Sequence, residues 1–113
     1  MTKIKGNSIL ITGGASGIGR VMGRIALEKG ARMLIIWDIN EAGIASTVKE
    51  YKKLGKVIGY KVDVSDSEQV KEIAQATIAE CGNVDIVINC AGIVTSNATF
   101  DKQTTREIER TMS

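Results

Sequence analysis

The sequence predicts a doubly wound α/β fold, in which helices cover both faces of a parallel sheet. Two observations favour it. Short apolar runs alternate with longer amphipathic stretches along the whole chain, and runs such as RMLIIW are apolar enough for strands buried on both faces. Strands that alternate with helices of this length are joined by right-handed crossovers, and these give a parallel sheet.

The four predicted strands have the sequences SILIT, RMLIIW, KVIGYKV and VDIVINC. The first predicted helix covers Ile18–Lys29, with Gly30 at the position of a C-terminal cap. Val21, Met22 and Ile25 share one face of this helix. Predicted strands and helices follow one another directly, so we expect no linker and no internal repeat.

Capping signals predict the other three helices. Asn40 is placed to cap the second helix, and Gly55 to end it. Ser65 begins an S-x-x-E capping box before the third helix. Thr104 begins a second such box, so the pattern predicts a fourth helix that runs to the last residues given.

The fourth predicted strand would lie at a bare edge of the sheet. A buried parallel strand without an outer neighbour is unusual. We therefore expect residues 1–113 to form a dinucleotide-binding domain that is the N-terminal part of a longer single-domain fold. About four strands and four helices of that incomplete fold are present.

Composition excludes several classes of function. The 113 residues are 43% hydrophobic and 25% charged, with a net charge of +2 and no basic run, so we expect neither disorder nor a nucleic-acid partner. No run is long enough to cross a bilayer and no signal peptide is evident, which predicts no membrane segment and a cytoplasmic location. The absence of histidine removes histidine-based catalysis and the usual zinc sites, so we predict no metal site.

A glycine-rich loop follows the first strand. In TGGASGIG the spacing is T-G-x-x-x-G-x-G, formed by Thr12, Gly13, Gly17 and Gly19. Glycines here let backbone N–H groups approach a phosphate at the N-terminus of a helix. The spacing matches neither G-x-G-x-x-G nor the Walker pattern, and a tight strand–helix turn without a ligand is the alternative.

Asp38 follows the second strand, about twenty residues beyond the loop, where dinucleotide-binding folds place an acid on the adenosine ribose. A carboxylate accepts hydrogen bonds from the ribose hydroxyls and repels a 2′-phosphate. Because Ser16 and Ile39 are not basic, NAD is favoured over NADP. Taken alone, an aspartate after a strand is better explained as a helix N-cap or a turn former, so the prediction depends on its combination with the glycine loop.

Four motifs in order, TGGASGIG, WDIN, DVSD and NCAG, resemble the N-terminal half of the short-chain dehydrogenase/reductase family. The resemblance covers almost the whole chain and implies a Rossmann-type sheet. WDIN and its surroundings are also similar to members that oxidise hydroxysteroids and retinol-like alcohols. In this family Asp63 would meet the adenine amino group beside the backbone of Val64. Cys90 departs from the usual Asn-Asn-Ala-Gly motif, and we expect it to pack without a redox role. The cofactor-binding residues that the resemblance implies are Gly13, Ser16, Gly17, Ile18, Gly19, Asp38, Asp63, Val64, Asn89, Ala91 and Gly92.

Hydride transfer in this family uses a tyrosine followed four positions later by a lysine. Tyr51 is followed by Gly55 and Tyr60 by Val64, so we assign no catalytic residue to this chain.

The resemblance predicts an NAD-dependent oxidoreductase that acts on a secondary alcohol or ketone, of which this chain supplies the cofactor-binding half. It also predicts a homo-oligomer in the full-length form. A non-catalytic dinucleotide-binding module is one alternative. An S-adenosylmethionine-dependent methyltransferase is another, but the first strand ends in Ile11-Thr12 rather than in an acid, and the chain has no proline.

Overall fold

A computed structural model of the chain describes residues 4–90. The predicted fourth helix and the site candidates Ala91 and Gly92 lie outside these residues. The elements alternate as predicted: β1 Ser8–Thr12, α1 Gly17–Glu28, β2 Met33–Asp38, α2 Glu41–Tyr51, β3 Val57–Lys61, α3 Ser67–Cys81 and β4 Ile86–Asn89.

The four strands form one parallel sheet in the order β3-β2-β1-β4. The chain therefore builds outward from β1 to β3 and then crosses back through α3 to place β4 on the other side of β1. Among the described residues this is the predicted doubly wound α/β arrangement, and it is confirmed.

Helices pack on both faces of β2, which explains its continuous apolar sequence. The Leu34 side chain lies against Gly23 of α1. The Trp37 side chain lies on the opposite face of the sheet, where its indole N–H donates a hydrogen bond of 3.2 Å to the Thr77 hydroxyl on α3. Because both faces are covered, every residue of β2 except its last is buried.

The packed face of α1 contains only one of the three apolar residues predicted to share it, since Met22 is half-buried against the core. Val21 and Ile25 are 57% and 40% exposed. The residues buried in this helix are mostly small: Gly19, Gly23, Ala26 and Leu27. Small residues bring the helix backbone close to the strands, so close approach rather than side-chain size decides which face is buried.

The helix caps agree with the sequence in two cases and differ in two. Gly30 follows Lys29, the C-cap residue of α1, with a left-handed φ of 90°, as predicted. The Asn40 side chain accepts a hydrogen bond from Gly43 N at 3.0 Å, so the predicted cap of α2 is confirmed. The predicted end at Gly55 is too late, since α2 ends at Tyr51. The N-cap of α3 is Asp66 rather than Ser65, because the Ser65 hydroxyl is bonded to Asp63 instead.

Candidate functional site

The candidate residues meet at the edge of the sheet where its parallel strands end. Three backbone hydrogen bonds join the residue that follows one strand to the end of the neighbouring strand: Gly13 N to Trp37 O (2.7 Å), Val62 N to Asp38 O (2.9 Å) and Cys90 N to Thr12 O (3.0 Å). The direction of strand addition reverses at β1. In doubly wound sheets ligands bind in the crevice at such a switch point.

The loop between β1 and α1 has a backbone that only glycine fits. Gly13 and Gly17 have φ values of 72° and 54°, in the left-handed region. A Cβ on Gly19 would lie 2.1 Å from the carbonyl oxygen of Gly13. No side chain can be accommodated at that distance, so the first turn of α1 depends on glycine at this position.

The N-terminus of α1 is open to a ligand. Ser16 is the N-cap residue, yet its side chain makes no capping hydrogen bond, and the first turn carries no acidic residue. Ser16, Gly17 and Ile18 are exposed. The first N–H groups of a helix lack partners within it and carry part of the positive end of the helix dipole. This end of α1 can therefore accept an anion such as a phosphate.

Asp38 links the glycine loop to the turn that follows β2. One carboxylate oxygen accepts a hydrogen bond from Ala15 N at 3.0 Å, and the other accepts one from Asn40 N at 2.9 Å. Asp38 thus forms a turn, as the alternative interpretation held, and it also faces the loop. A carboxylate has about four acceptor positions, so two remain for hydroxyl groups of a ligand.

Asn89 ends β4 directly beside the end of β1. Its side-chain oxygen accepts a hydrogen bond of 2.6 Å from the Thr12 hydroxyl, so the two side chains bridge the switch point. The neighbouring Cys90 is half-buried, and burial raises the pKa of its thiol. A raised pKa keeps this sulfur protonated and poorly nucleophilic near neutral pH.

Asp63 lies just beyond β3 and is bonded to the chain that follows it. One of its carboxylate oxygens accepts hydrogen bonds from Ser65 N at 3.0 Å and from the Ser65 hydroxyl at 2.6 Å. These bonds, that of the hydroxyl first, hold the pKa of the Asp63 carboxyl below its ordinary value. The adjacent Val64 is half-buried.

Three contributors to this geometry were not among the sequence candidates. Ala15 acts through its backbone N–H, which no sequence pattern reveals. Ser65 was predicted to be a helix cap. It lies two residues after Asp63, the spacing at which an aspartate side chain accepts a hydrogen bond in an Asx turn. Gln69 accepts a hydrogen bond of 3.0 Å from Asp63 N, through a contact that its position on α3 did not suggest.

Both tyrosines have structural contacts. The Tyr51 hydroxyl donates to the carbonyl oxygen of Arg20 at 2.8 Å, which joins α2 to α1. The Tyr60 hydroxyl bonds to Glu80 and lies 3.8 Å from the Cys81 sulfur, and burial together with these bonds raises its pKa. Tyr60 therefore lacks the surroundings of a proton-transfer group that must ionise near neutral pH, and the Tyr51 hydroxyl serves as a link between two helices.

Residues 4–90 contain no group of three or more side chains suited to holding a metal ion. No helix within that range is long and apolar enough to span a membrane.

Two curated relatives are similar to almost the whole chain. Short-chain dehydrogenase/reductase family 16C member 6 from Bos taurus is 39% identical over 109 residues, which cover 95% of this chain and 34% of the relative. Estradiol 17-beta-dehydrogenase 11 from Homo sapiens is 38% identical over 109 residues, covering 96% and 36%. The chain thus spans about a third of the length of these relatives. The similarity to hydroxysteroid dehydrogenases predicted from the sequence is confirmed.

Solved structures share the fold. A short-chain dehydrogenase/reductase from Burkholderia phymatum in complex with NAD matches with a TM-score of 0.70 and 33% identity, over 77% of this chain and 31% of that one. The RhlG/NADP active-site complex of Pseudomonas aeruginosa matches with a TM-score of 0.73 and 29% identity, over 82% and 38%. The family model described as short chain dehydrogenase matches residues 7–113. Because this model matches almost the whole chain and the curated relatives share more than a third of its residues, the chain belongs to the short-chain dehydrogenase/reductase family.

Proposed function

We propose that the chain is the dinucleotide-binding part of an NAD-dependent oxidoreductase. The complete enzyme would transfer a hydride between nicotinamide and a secondary alcohol or ketone. The observation that carries the proposal is the Asp38 carboxylate, which is bonded to the glycine loop through Ala15 N and keeps acceptor positions for a ribose.

The residues present fit such a cofactor from its phosphates to its adenine. The exposed N-terminus of α1, with Gly13, Ser16, Gly17, Ile18 and Gly19 around it, would bind the pyrophosphate. Within residues 4–90, and apart from its two chain neighbours and the backbone of its own helix, no atom lies within 4 Å of the position that a Cβ on Gly17 would take, so a phosphate can approach the backbone there.

The other strand ends would bind the nucleosides. Asp38 would accept hydrogen bonds from the hydroxyls of the adenosine ribose, Asp63 would accept one from the adenine amino group, and Val64 would lie beside the ring. Asn89 would pass close to the riboses, where the Thr12 hydroxyl already fixes its side chain. Ala91 and Gly92 are proposed for the same region by family resemblance.

The preference for NAD rests on charge. A 2′-phosphate placed at Asp38 would meet a carboxylate, and the adjacent Ile39 offers no positive charge to offset the repulsion. Similar structures hold NAD in one case and NADP in another, so the family alone does not decide between them.

The test is a titration of the purified 113-residue chain with NADH, NADPH and S-adenosylmethionine, followed by dinucleotide fluorescence and calorimetry. We expect NADH to bind more tightly than NADPH, and S-adenosylmethionine not to bind. Because no Tyr-x-x-x-Lys pair is present, we expect no alcohol oxidation by the chain alone. Binding of S-adenosylmethionine without NADH would overturn the proposal.

A further inference from the structure

The turn between β3 and α3 fixes the Asp63 side chain in an unusual way. Both hydrogen-bond donors of Ser65, its backbone N–H and its hydroxyl, bond to the same carboxylate oxygen, at 3.0 and 2.6 Å. Two donors on one oxygen restrain the rotation of the carboxylate more than a single bond would.

The second oxygen of this carboxylate is left available to a ligand. Within residues 4–90, no hydrogen-bond donor contacts this second oxygen, because both Ser65 donors bond to Oδ1. The carboxylate nevertheless stays ionised, because the Ser65 hydrogen bonds favour its charged form. Asp63 can therefore accept a hydrogen bond through an oxygen whose position Ser65 determines.

The backbone of Asp63 is fixed by a separate contact. Its N–H donates to the Gln69 side-chain oxygen at 3.0 Å, and the Gln69 amide donates to Asp66 at 3.1 Å. Gln69 thus anchors the backbone to the first turns of α3, while Ser65 orients the carboxylate. The two functions can be separated by mutation.

We propose that Ser65 is a positioning residue for base selectivity, which orients Asp63 so that its free oxygen accepts a hydrogen bond from the 6-amino group of adenine. The inference rests on the proposed function, since it requires a bound adenine dinucleotide. Hypoxanthine carries an acceptor where adenine carries that amino group. A fixed carboxylate therefore favours adenine and disfavours hypoxanthine.

The experiment compares NAD with nicotinamide hypoxanthine dinucleotide, which differ only in the base. Calorimetry gives the affinity ratio of the two dinucleotides for the wild-type chain and for Ser65→Ala, which loses the hydroxyl bond and keeps the backbone bond. We expect the wild type to prefer NAD and the variant to lose about three- to tenfold of that preference. Ser65→Thr retains a hydroxyl and should restore the wild-type ratio. Ser46→Ala, an exposed serine on α2, should leave the ratio unchanged.

If Ser65→Ala reduced the affinities for both dinucleotides equally, so that their ratio kept its wild-type value, Ser65 would have a merely structural role. That result would overturn the inference. Equal binding of the two dinucleotides by the wild type would also overturn it, while leaving dinucleotide binding intact. If neither dinucleotide bound the wild type, the proposed function itself would fail.

Discussion

The β1–α1 turn and the β3–α3 turn lie at the same edge of the sheet but are built by different means. The path of the first depends on residues without a Cβ: Gly13 and Gly17 supply left-handed backbone, and Gly19 allows the close approach of the Gly13 carbonyl. Side chains from β2 and α2 bond to the backbone of Ala15 within it. The second is held by side-chain hydrogen bonds, in which Ser65 bonds Asp63 and Gln69 bonds its backbone.

The difference teaches how each turn should respond to mutation. A turn defined by the absence of side chains tolerates no addition, so its failures should be abrupt. A turn defined by exposed hydrogen bonds can lose them one at a time, and each loss should have a small effect because water competes for the same donors and acceptors. The first turn would determine whether a dinucleotide binds, and the second would modulate which base is preferred.

The largest effect is expected at the glycine loop. Gly19→Ala places a Cβ 2.1 Å from the Gly13 carbonyl oxygen and must displace the loop or the first turn of α1. We expect a loss of about 1–3 kcal/mol in the free energy of unfolding and the loss of detectable NADH binding. Thermal unfolding and a fluorescence titration measure the two effects.

Gly55→Ala is the matched control, because the nearest atom to its Cβ would be the end of the flexible Leu27 side chain, at 3.1 Å. Normal NADH binding by Gly19→Ala would contradict the view that the first turn depends on close approach.

An intermediate effect is expected at Asp38. Its carboxylate is a side chain, like those that hold the β3–α3 turn, but it accepts a hydrogen bond from Ala15 N in the β1–α1 turn. Asp38→Ala should weaken NAD about ten- to a hundredfold, since hydrogen bonds to a charged group are lost. NADP should lose less, because the repulsion of its 2′-phosphate is also removed. Calorimetric titration of both dinucleotides gives the comparison.

Glu72→Ala removes an exposed acid from α3 and provides the charge-matched control. Asp38→Asn keeps an acceptor for Ala15 N without the charge, so it should relax the preference between the dinucleotides while preserving the loop. Equal losses of NAD and NADP on Asp38→Ala would remove this residue from the ribose.

The smallest effect is expected at the β3–α3 turn, as a dependence of stability on pH. The pKa of the Asp63 carboxyl is lower in the folded chain than its ordinary value, so the unfolded chain binds more protons on acidification. The contribution of Asp63 to stability is complete above the ordinary carboxyl pKa, about 3.9, and is lost as the pH falls through the folded value.

Thermal unfolding of the wild type and Ser65→Ala between pH 7 and pH 2.5 tests this expectation. The wild type should be slightly more stable at pH 7, and the difference should shrink on acidification. A difference that stays constant with pH would show that Ser65 acts without the Asp63 charge. Ser46→Ala should follow the wild type throughout.

The sequence was sufficient for the order of elements, because buried strands and capped helices carry local signals. It also indicated the glycine loop and Asp38, whose residue types are tied to their chemistry. It was only partly right on α1: Met22 packs against the core as predicted, but Val21 and Ile25 are exposed and most of the buried residues of the helix are small. It failed on Ser65, since a serine before a helix fits two hydrogen-bonding patterns and the local sequence does not choose between them.

The sequence by itself determined the alternation of strands and helices and the family to which the chain belongs. Those properties depend on the types of residues and on their spacing along the chain, both of which are local features of the sequence. Only the tertiary structure decided that Ala15 N faces the Asp38 carboxylate, that the Thr12 hydroxyl meets Asn89, and which oxygen of Asp63 remains free. The Ala15–Asp38 and Thr12–Asn89 contacts join residues 23 and 77 positions apart, so their geometry exists only once the strands have paired. The Asp63–Ser65 contact is local, but the local sequence fits a helix cap as well and does not choose between them.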